Sequence, residues 1–448
     1  MKALSVFVFL LASAAAQEID PFQAVLVQLP KQGHTAHSSG PQMTLAELED
    51  AALTGNPEIK AAERNVQVAQ ARVPAAGALD DPSFNFWAWQ VPLREPWNLN
   101  QSQIYFRAQQ TFPGGGKRGL RVEVAGGDVE IARAYLETKK QEVRSRVQLA
   151  YYELLRNADE LRLHEEQVAL TRQGLESARI KYTVGRVPQQ DVLKAQIALT
   201  KLVIHLVDFQ EDGQLARSQL NALLGRSPAS PLEVQGEYVI PEELPSPQDL
   251  QSLALEHRPE LVGVMAMLRQ SDSKTKLAQK AYMPDYTVAA GYQLNPADSR
   301  FRNTYLTEFS INLPWFNHRK HDSEIAQADT ELIYQKAQLD ATRNMVFEQI
   351  QEALIRSNTA RRRAEIYHKT LEPQAQATLK AAVAAYENDR TDYLNLLDSQ
   401  TTVLQVEFDY YRALAEFDAR MAELERAVGA PIPRVINPPV DGKKEVHP

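Results

Sequence analysis

The sequence predicts a mainly α-helical protein with a small β part, built from two tandem copies of one long helical hairpin. Three observations lead to this prediction. Motifs recur about 200 residues apart, helical patterns run for tens of residues without proline, and four short segments alternate apolar and polar residues as strands do. Together these observations indicate a repeated unit of helical rods and strands.

The duplication rests on matched motifs at a nearly constant offset. Asn56-Pro57-Glu58 returns as Arg258-Pro259-Glu260, 202 residues later. Tyr182–Gln196 returns as Tyr386–Gln400, 204 residues later. Because the offset drifts by so little, we interpret the whole chain between these motifs as one duplicated unit.

The two ends of the chain lie outside the copies. Residues 1–16 have the basic start, short apolar run and small residues of a secretory signal peptide. Residues 17–43 are predicted to be an irregular arm, and residues 430–448 a proline-rich tail. The formal net charge of −8 disfavours nucleic acid as a partner, and the absence of cysteine excludes disulfides and attachment of lipid at a cysteine. We therefore expect an exported protein that is not lipidated.

Each copy is predicted to contain a leading helix, a β-hairpin, a long helix and a return helix. The first copy spans residues 44–224, and the second spans residues 248–429. A proline-rich linker at residues 225–247 joins them; we call it the equatorial linker, because it is predicted to lie about halfway along the rods. Thr44 and Glu47 form a capping-box pattern at the first helix start. The second long helix is predicted to run from about Arg319 to Tyr386.

The β-hairpins are predicted at residues 83–112 and 285–313. Each strand has about the length that a tilted strand needs to cross a bilayer. In the first predicted strand, alternation places Phe84 and Phe86 on one side and Trp87 and Trp89 on the other. A bulge in the strand, or an aromatic belt facing both ways, would explain aromatic residues on both sides. Trp87, Trp89 and Trp315 are candidate membrane-interface aromatics.

The matched stretches at Tyr182 and Tyr386 are predicted to be tips of helical hairpins. At the first tip, Gly185 ends one helix and Pro188 begins the next. Asp389 and Thr391 belong to the second tip, where Asp389 replaces the glycine. A helix from Lys117 to Tyr182 would be about 100 Å long, so the tips lie far from the strands.

The geometry also requires more than one chain. Only closed sheets span lipid, and four strands are too few to close a barrel. Long rods with one apolar stripe must pack sideways on other rods. These arguments predict two or more copies without choosing the number.

With these motifs the chain resembles the TolC-type outer-membrane efflux channel family. The residues that carry the resemblance form the first tip: Tyr182, Gly185, Arg186, Asp191, Leu193 and Gln196. The segment Phe112–Arg118, in which the chain leaves a predicted strand, is similar to the corresponding segment of family members that work with metal-cation pumps. The resemblance implies a homotrimer with a shared 12-stranded β-barrel in the outer membrane, continued by an α-barrel across the periplasm. It also implies a passive exit duct without cofactor, served by a periplasmic adaptor and an inner-membrane pump.

The resemblance further implies a periplasmic aperture at the tips. Its candidate gate residues are Arg186, Asp191, Arg390, Asp392 and Asp398. For Asp191 the alternative is a first-turn carboxylate that complements the helix dipole, and for Arg390 and Asp392 it is a solvated turn. Asn395, where the family often has an aspartate, weakens the acidic ring.

Other functions remain open at this point. A soluble periplasmic coiled-coil scaffold and an exit duct for type I protein secretion would share the helical hairpins. The sequence contains no nucleophile elbow, phosphate loop or zinc motif, so we do not expect an enzyme. His318 and His321 have the spacing of a helical metal site, but a surface helix start explains them better.

Overall fold

The computed structural model describes residues 40–432, except residues 242, 297, 299, 301 and 389. The predicted signal peptide and nearly all of the predicted arm and tail lie outside this range. The helices, numbered in chain order, are α1 (Leu45–Gly55), α2 (Pro57–Gly77), α3 (Lys117–Thr183), α4 (Gln189–Leu223), α5 (Pro247–His257), α6 (Pro259–Gln279), α7 (His318–Ile366), α8 (Glu372–Glu387) and α9 (Tyr393–Val428). The strands are β1 (Gln42–Met43), β2 (Ser83–Trp89), β3 (Gln103–Phe112), β4 (Glu233–Val234), β5 (Tyr286–Leu294) and β6 (Asn303–Ile311).

Each predicted leading helix consists of two helices, which corrects the sequence interpretation. Asn56 ends α1 and caps α2, because its side-chain oxygen accepts the Glu58 N–H at 2.8 Å. The break follows from the proline after it, which disfavours helical angles at the preceding residue. Arg258 occupies the same place before Pro259 and separates α5 from α6.

The two long helices differ, although the copies are equivalent in sequence. α3 is continuous over 67 residues. The second long helix is interrupted by a π-helical segment at Tyr367–Leu371 between α7 and α8. Pro373 explains the interruption, because proline lacks the N–H that a regular α-helix uses and its ring clashes with the preceding turn. The helix predicted from about Arg319 to Tyr386 thus begins one residue earlier, at His318, and contains one interruption.

Helix α3 packs against α2, α4, α6 and α9, and α7 packs against α6 and α9. One apolar cluster joins α1, α3 and α4 around Leu48 and Leu220, and an equivalent cluster joins α5, α7 and α9 around Leu250 and Phe417. The duplication therefore extends from sequence to core packing.

The equatorial linker is not wholly irregular. Its strand β4 pairs in parallel with β1, which ends the predicted N-terminal arm. The Arg217 guanidinium of α4 also donates to the Leu232 carbonyl at 2.8 Å. Along the part of the chain that the structure describes, no helix is both long and apolar enough to cross a membrane.

The other four strands form one antiparallel sheet in the order β2-β3-β5-β6. The register pairs Phe86 with Phe106, Phe106 with Tyr292, and Tyr292 with Tyr305. The two hairpins of the duplicated copies thus join edge to edge, with β2 and β6 as the free edges of the described sheet.

Candidate functional site

The sheet has one apolar and one polar face, and the apolar face is exposed to solvent in the single chain. The most exposed large side chains on it are Phe84, Phe86, Tyr305 and Phe309, each more than 60% exposed. A soluble protein rarely leaves such a patch uncovered. The face therefore requires either lipid or a partner.

The polar face carries Trp87, for which the sequence left two explanations open. The register of β2 is continuous, so no bulge reverses its faces, and Trp87 and Trp89 lie opposite Phe84 and Phe86. The Trp87 ring stacks on Tyr105 at 4.8 Å. The structure therefore excludes the bulge and leaves aromatic residues on both faces of β2. The membrane-interface positions of Trp87, Trp89 and Trp315 stay predictions. Trp315 lies beyond the end of β6 and is half exposed.

The junction between β3 and α3 is fixed by Lys117 and Asp285. The Lys117 ammonium lies 2.8 Å from the Asp285 carboxylate and also donates to the Met283 carbonyl at 2.8 Å. The Gly114 N–H donates to the same carboxylate at 2.9 Å. Partial burial opposes ionisation of Asp285, but the bonds from Lys117 and Gly114 outweigh it and hold its pKa below the ordinary value. This junction explains the Pro-Gly-Gly-Gly-Lys motif of the sequence.

The first tip is a Schellman turn that requires Gly185. Gly185 has φ +75°, the left-handed region. Its N–H donates to the Tyr182 carbonyl at 2.9 Å, and the Arg186 N–H donates to the Lys181 carbonyl at 2.8 Å. Pro188 precedes α4 as its N-cap, one position earlier than a first helical residue.

The second tip keeps the same closing bond, since the Arg390 N–H donates to the Ala385 carbonyl at 2.8 Å. Asp389, which takes the place of Gly185 in the sequence, lies outside the described residues. The Asp392 carboxylate accepts the Asn395 N–H at 3.0 Å and so caps α9. The Asn395 side chain donates to the Thr391 hydroxyl at 3.0 Å. Within the chain, Asp392 therefore has a capping role.

The two candidate gate carboxylates have different surroundings. Asp191 lies in the first turn of α4 and is 6% exposed, whereas Asp398 is exposed on α9. Within the single chain, Asp191 thus lies where a first-turn carboxylate would complement the dipole of α4. Its role in an aperture remains a proposal.

Sequence reasoning missed a contact between the two tips. The Lys181 ammonium lies 3.5 Å from the centre of the Tyr386 ring, a cation–π geometry. Directly above it an apolar cluster joins the two hairpins, with Leu175, Ala195, Leu199 and Leu396 buried. In the sequence, only a row of residues at spacing seven pointed to this packing: Val147, Leu154, Leu161, Val168, Leu175 and Tyr182.

Two helices present uncovered apolar stripes to the outside of the chain. On α4, five exposed side chains fall on one helical face: Leu193, Ile197, Ile204, Val207 and Leu215. On α7, Ile333, Met345, Ile355 and Ile366 are likewise exposed. Both stripes run along rods that lack a neighbour on that side within the described chain.

The histidines at the start of α7 are structural. The His321 Nδ1 atom lies 3.1 Å from the Glu324 carboxylate, and the His321 ring packs edge-on against Tyr282. Among the side chains that the structure describes, no group of three His, Cys, Asp or Glu residues is arranged to hold a metal ion.

Comparisons with known proteins agree with this geometry. A family model described as "Outer membrane efflux protein" matches residues 48–226 and 250–430. The chain is similar to the cobalt-zinc-cadmium resistance protein CzcC of Cupriavidus metallidurans, at 25% identity over 318 residues, covering 70% of this chain and 74% of CzcC. The crystal structure of CusC matches with a TM-score of 0.74 at 16% identity over 89% of this chain and 96% of CusC. VceC of Vibrio cholerae matches with a TM-score of 0.70 at 20% identity over 86% and 96%.

The chain thus shares its fold, a four-stranded sheet on a bundle of long rods, with CusC and VceC. The chain belongs to the outer membrane efflux protein family, as the resemblance implied. It is the outer-membrane channel component of a tripartite efflux pump, and such channels work with an adaptor and an inner-membrane pump.

Proposed function

We propose that three copies of this chain form one closed channel. The observation that carries the proposal is the exposed apolar face of an open four-stranded sheet. Three such sheets, joined through their β2 and β6 edges, give a twelve-stranded barrel with the apolar face toward lipid. The polar face, with Trp87 and Arg107, then lines the lumen.

The uncovered rods support the same assembly. Each of the uncovered apolar stripes on α4 and α7 would be buried against a rod of a neighbouring chain. Such packing closes a helical tunnel below the barrel. The tunnel would cross the periplasm for about 100 Å, the length of α3.

Divalent metal cations are the proposed cargo class. The support is the similarity to CzcC, whose name refers to resistance to cobalt, zinc and cadmium. The channel supplies a passive path without cofactor or catalysis, and the pump selects the cargo. Export of proteins through the same fold is the alternative, which a metal-sensitivity assay on a deletion strain separates from metal efflux.

The experiment that tests the channel is conductance of the purified protein in planar lipid bilayers. The proposal predicts discrete conductance steps from a detergent-stable oligomer. A protein that leaves the membrane with carbonate and never conducts would instead be the periplasmic scaffold, and the proposed function would be wrong.

The aperture is proposed at the tips, where Arg186, Asp191, Arg390, Asp392 and Asp398 would face their counterparts in neighbouring chains. We predict that Asp191→Asn combined with Asp398→Asn raises the conductance of the isolated channel, because fewer bonds hold the mouth closed. The matched control is Asp208→Asn, whose exposed carboxylate on α4 lies away from the tip. Unchanged conductance in the double variant would leave Asp191 with its first-turn role alone.

A further inference from the structure

The four strands of the sheet contain two charged residues, Arg107 in β3 and Glu308 in β6. Both lie on the polar face, and Arg107 Nη1 is 2.8 Å from Glu308 Oε2. The pair is unusual because β5 lies between the two strands. The arginine side chain therefore crosses a whole strand to reach the carboxylate.

Gly291 is the residue of β5 that lies between the two strands at this point. It pairs directly with Arg107 on one side and with Leu306 on the other. A Cβ atom at Gly291 would overlap the Phe106 carbonyl oxygen and press on the Leu306 side chain. Glycine therefore suits this position, where the backbone of β3 and a side chain of β6 approach β5 closely.

Aromatic residues hold the guanidinium group in place. The Arg107 guanidinium lies 5.4 Å from the Trp87 ring centre, and Trp87 is nearly parallel to Tyr105, at 2°. The Tyr105 hydroxyl donates to Gln103 Oε1 at 2.7 Å. Arg107 and Glu308 are nevertheless 25% and 46% exposed, so both charges remain accessible from the polar face.

In a trimer with the polar face inward, these residues form one ring of three arginines and three glutamates. We propose that Arg107 is a selectivity-determining residue of the channel, because it cancels a carboxylate ring that would otherwise favour cations and repel anions. The inference rests on the proposed function, which places this face in the lumen. If the inference holds, the ring has no net charge, so the barrel wall passes solutes of either charge at this level.

The test is the reversal potential of single channels in a potassium chloride gradient at low ionic strength, where screening is weak. Arg107→Gln is expected to raise the potassium-to-chloride permeability ratio roughly threefold, and Glu308→Gln to lower it by a similar factor, since each leaves three unbalanced charges. The swapped pair Arg107→Glu with Glu308→Arg restores neutrality, so its ratio should return to that of the unmodified channel.

A second variant separates this inference from the channel proposal. Gln293→Glu adds a carboxylate on the same face without touching the pair, and it is expected to raise the ratio as Arg107→Gln does. No conductance from the unmodified protein, or no response to Gln293→Glu, would overturn the proposed lumen itself. If Gln293→Glu changes the permeability ratio but Arg107→Gln does not, the inference alone is overturned. In that case the Arg107–Glu308 pair only joins the strands, since a purely structural contact does not change the reversal potential.

Discussion

Gly114→Ala is expected to abolish assembly of the channel. A Cβ atom at residue 114 would overlap the Pro284 carbonyl oxygen, which belongs to the backbone and has no flexible end that could move away. Any shift that relieves the overlap also breaks the Gly114 bond to Asp285 at 2.9 Å and pulls Lys117 from its partners. We expect a loss of more than about 4 kcal/mol, the range of severe steric substitutions.

The measurement is the yield of detergent-stable oligomer in the outer-membrane fraction. Gly119→Ala is the matched control, because this helical glycine lies near the junction with open space around it. Alanine should stabilise the helix there by up to about 1 kcal/mol. Equal oligomer yields from Gly114→Ala and Gly119→Ala would show that the junction is not the close contact described here.

Arg412→Ala is predicted to have the second-largest effect, through a buried carboxylate. Glu160 in α3 is 0% exposed and is held by Arg156 at 2.6 Å and by Arg412 of α9 at 2.7 Å. The Glu160–Arg412 pair joins the first copy to the second. Removing Arg412 leaves a buried charge partly uncompensated. Because Arg412 is itself 52% exposed and Arg156 remains bonded to Glu160, the loss should lie below the cost of about 3–5 kcal/mol for breaking a fully buried pair.

The unfolding temperature of the purified oligomer measures this effect. Arg356→Ala is the control, since its pair with Glu352 is half exposed on one helix and should contribute less than about 1 kcal/mol. The double variant Glu160→Met with Arg412→Met removes both charges and should be more stable than Arg412→Ala alone. A double variant less stable than the single one would show that the ion pair itself, rather than the cost of an orphaned carboxylate, dominates.

Much of the fold could be predicted because its signals are local. The Thr44–Glu47 capping box is present, Gly185 closes the first tip, and alternation places Ile104 and Tyr292 on one face. The breaks before Pro57 and Pro259 were visible in the motifs that revealed the duplication, but helical periodicity on both sides hid them. Pro373 is an equally local signal for the π-helical segment.

The site was less predictable because it depends on contacts between the copies. Lys181 reaches Tyr386 only once the two hairpins pack together, and no local pattern reports a contact across 205 residues of sequence. Arg107 and Glu308 are likewise joined through strand order, which places β3 and β6 on either side of β5. For Trp87 the sequence left two explanations open, a bulge and an aromatic belt facing both ways. The continuous register of β2 shows that the aromatic residues lie on both faces without a bulge.

The central claim is that each chain contributes one third of a closed barrel, and disulfide trapping tests it most directly. The natural chain has no cysteine, so Phe86→Cys in β2 can be combined in turn with Tyr305→Cys, Thr307→Cys or Phe309→Cys in β6. Within one chain these strands lie about 14 Å apart across the sheet. A disulfide requires Cα atoms within about 7 Å, so any bond formed must join two chains.

Oxidised membranes analysed by denaturing gel electrophoresis give the result. The proposed channel predicts that at least one cysteine pair yields a ladder of monomer, dimer and trimer that ends at the trimer, because the ring is closed. A ladder that continues beyond the trimer, or no cross-linked product from any of the three pairs, would contradict it.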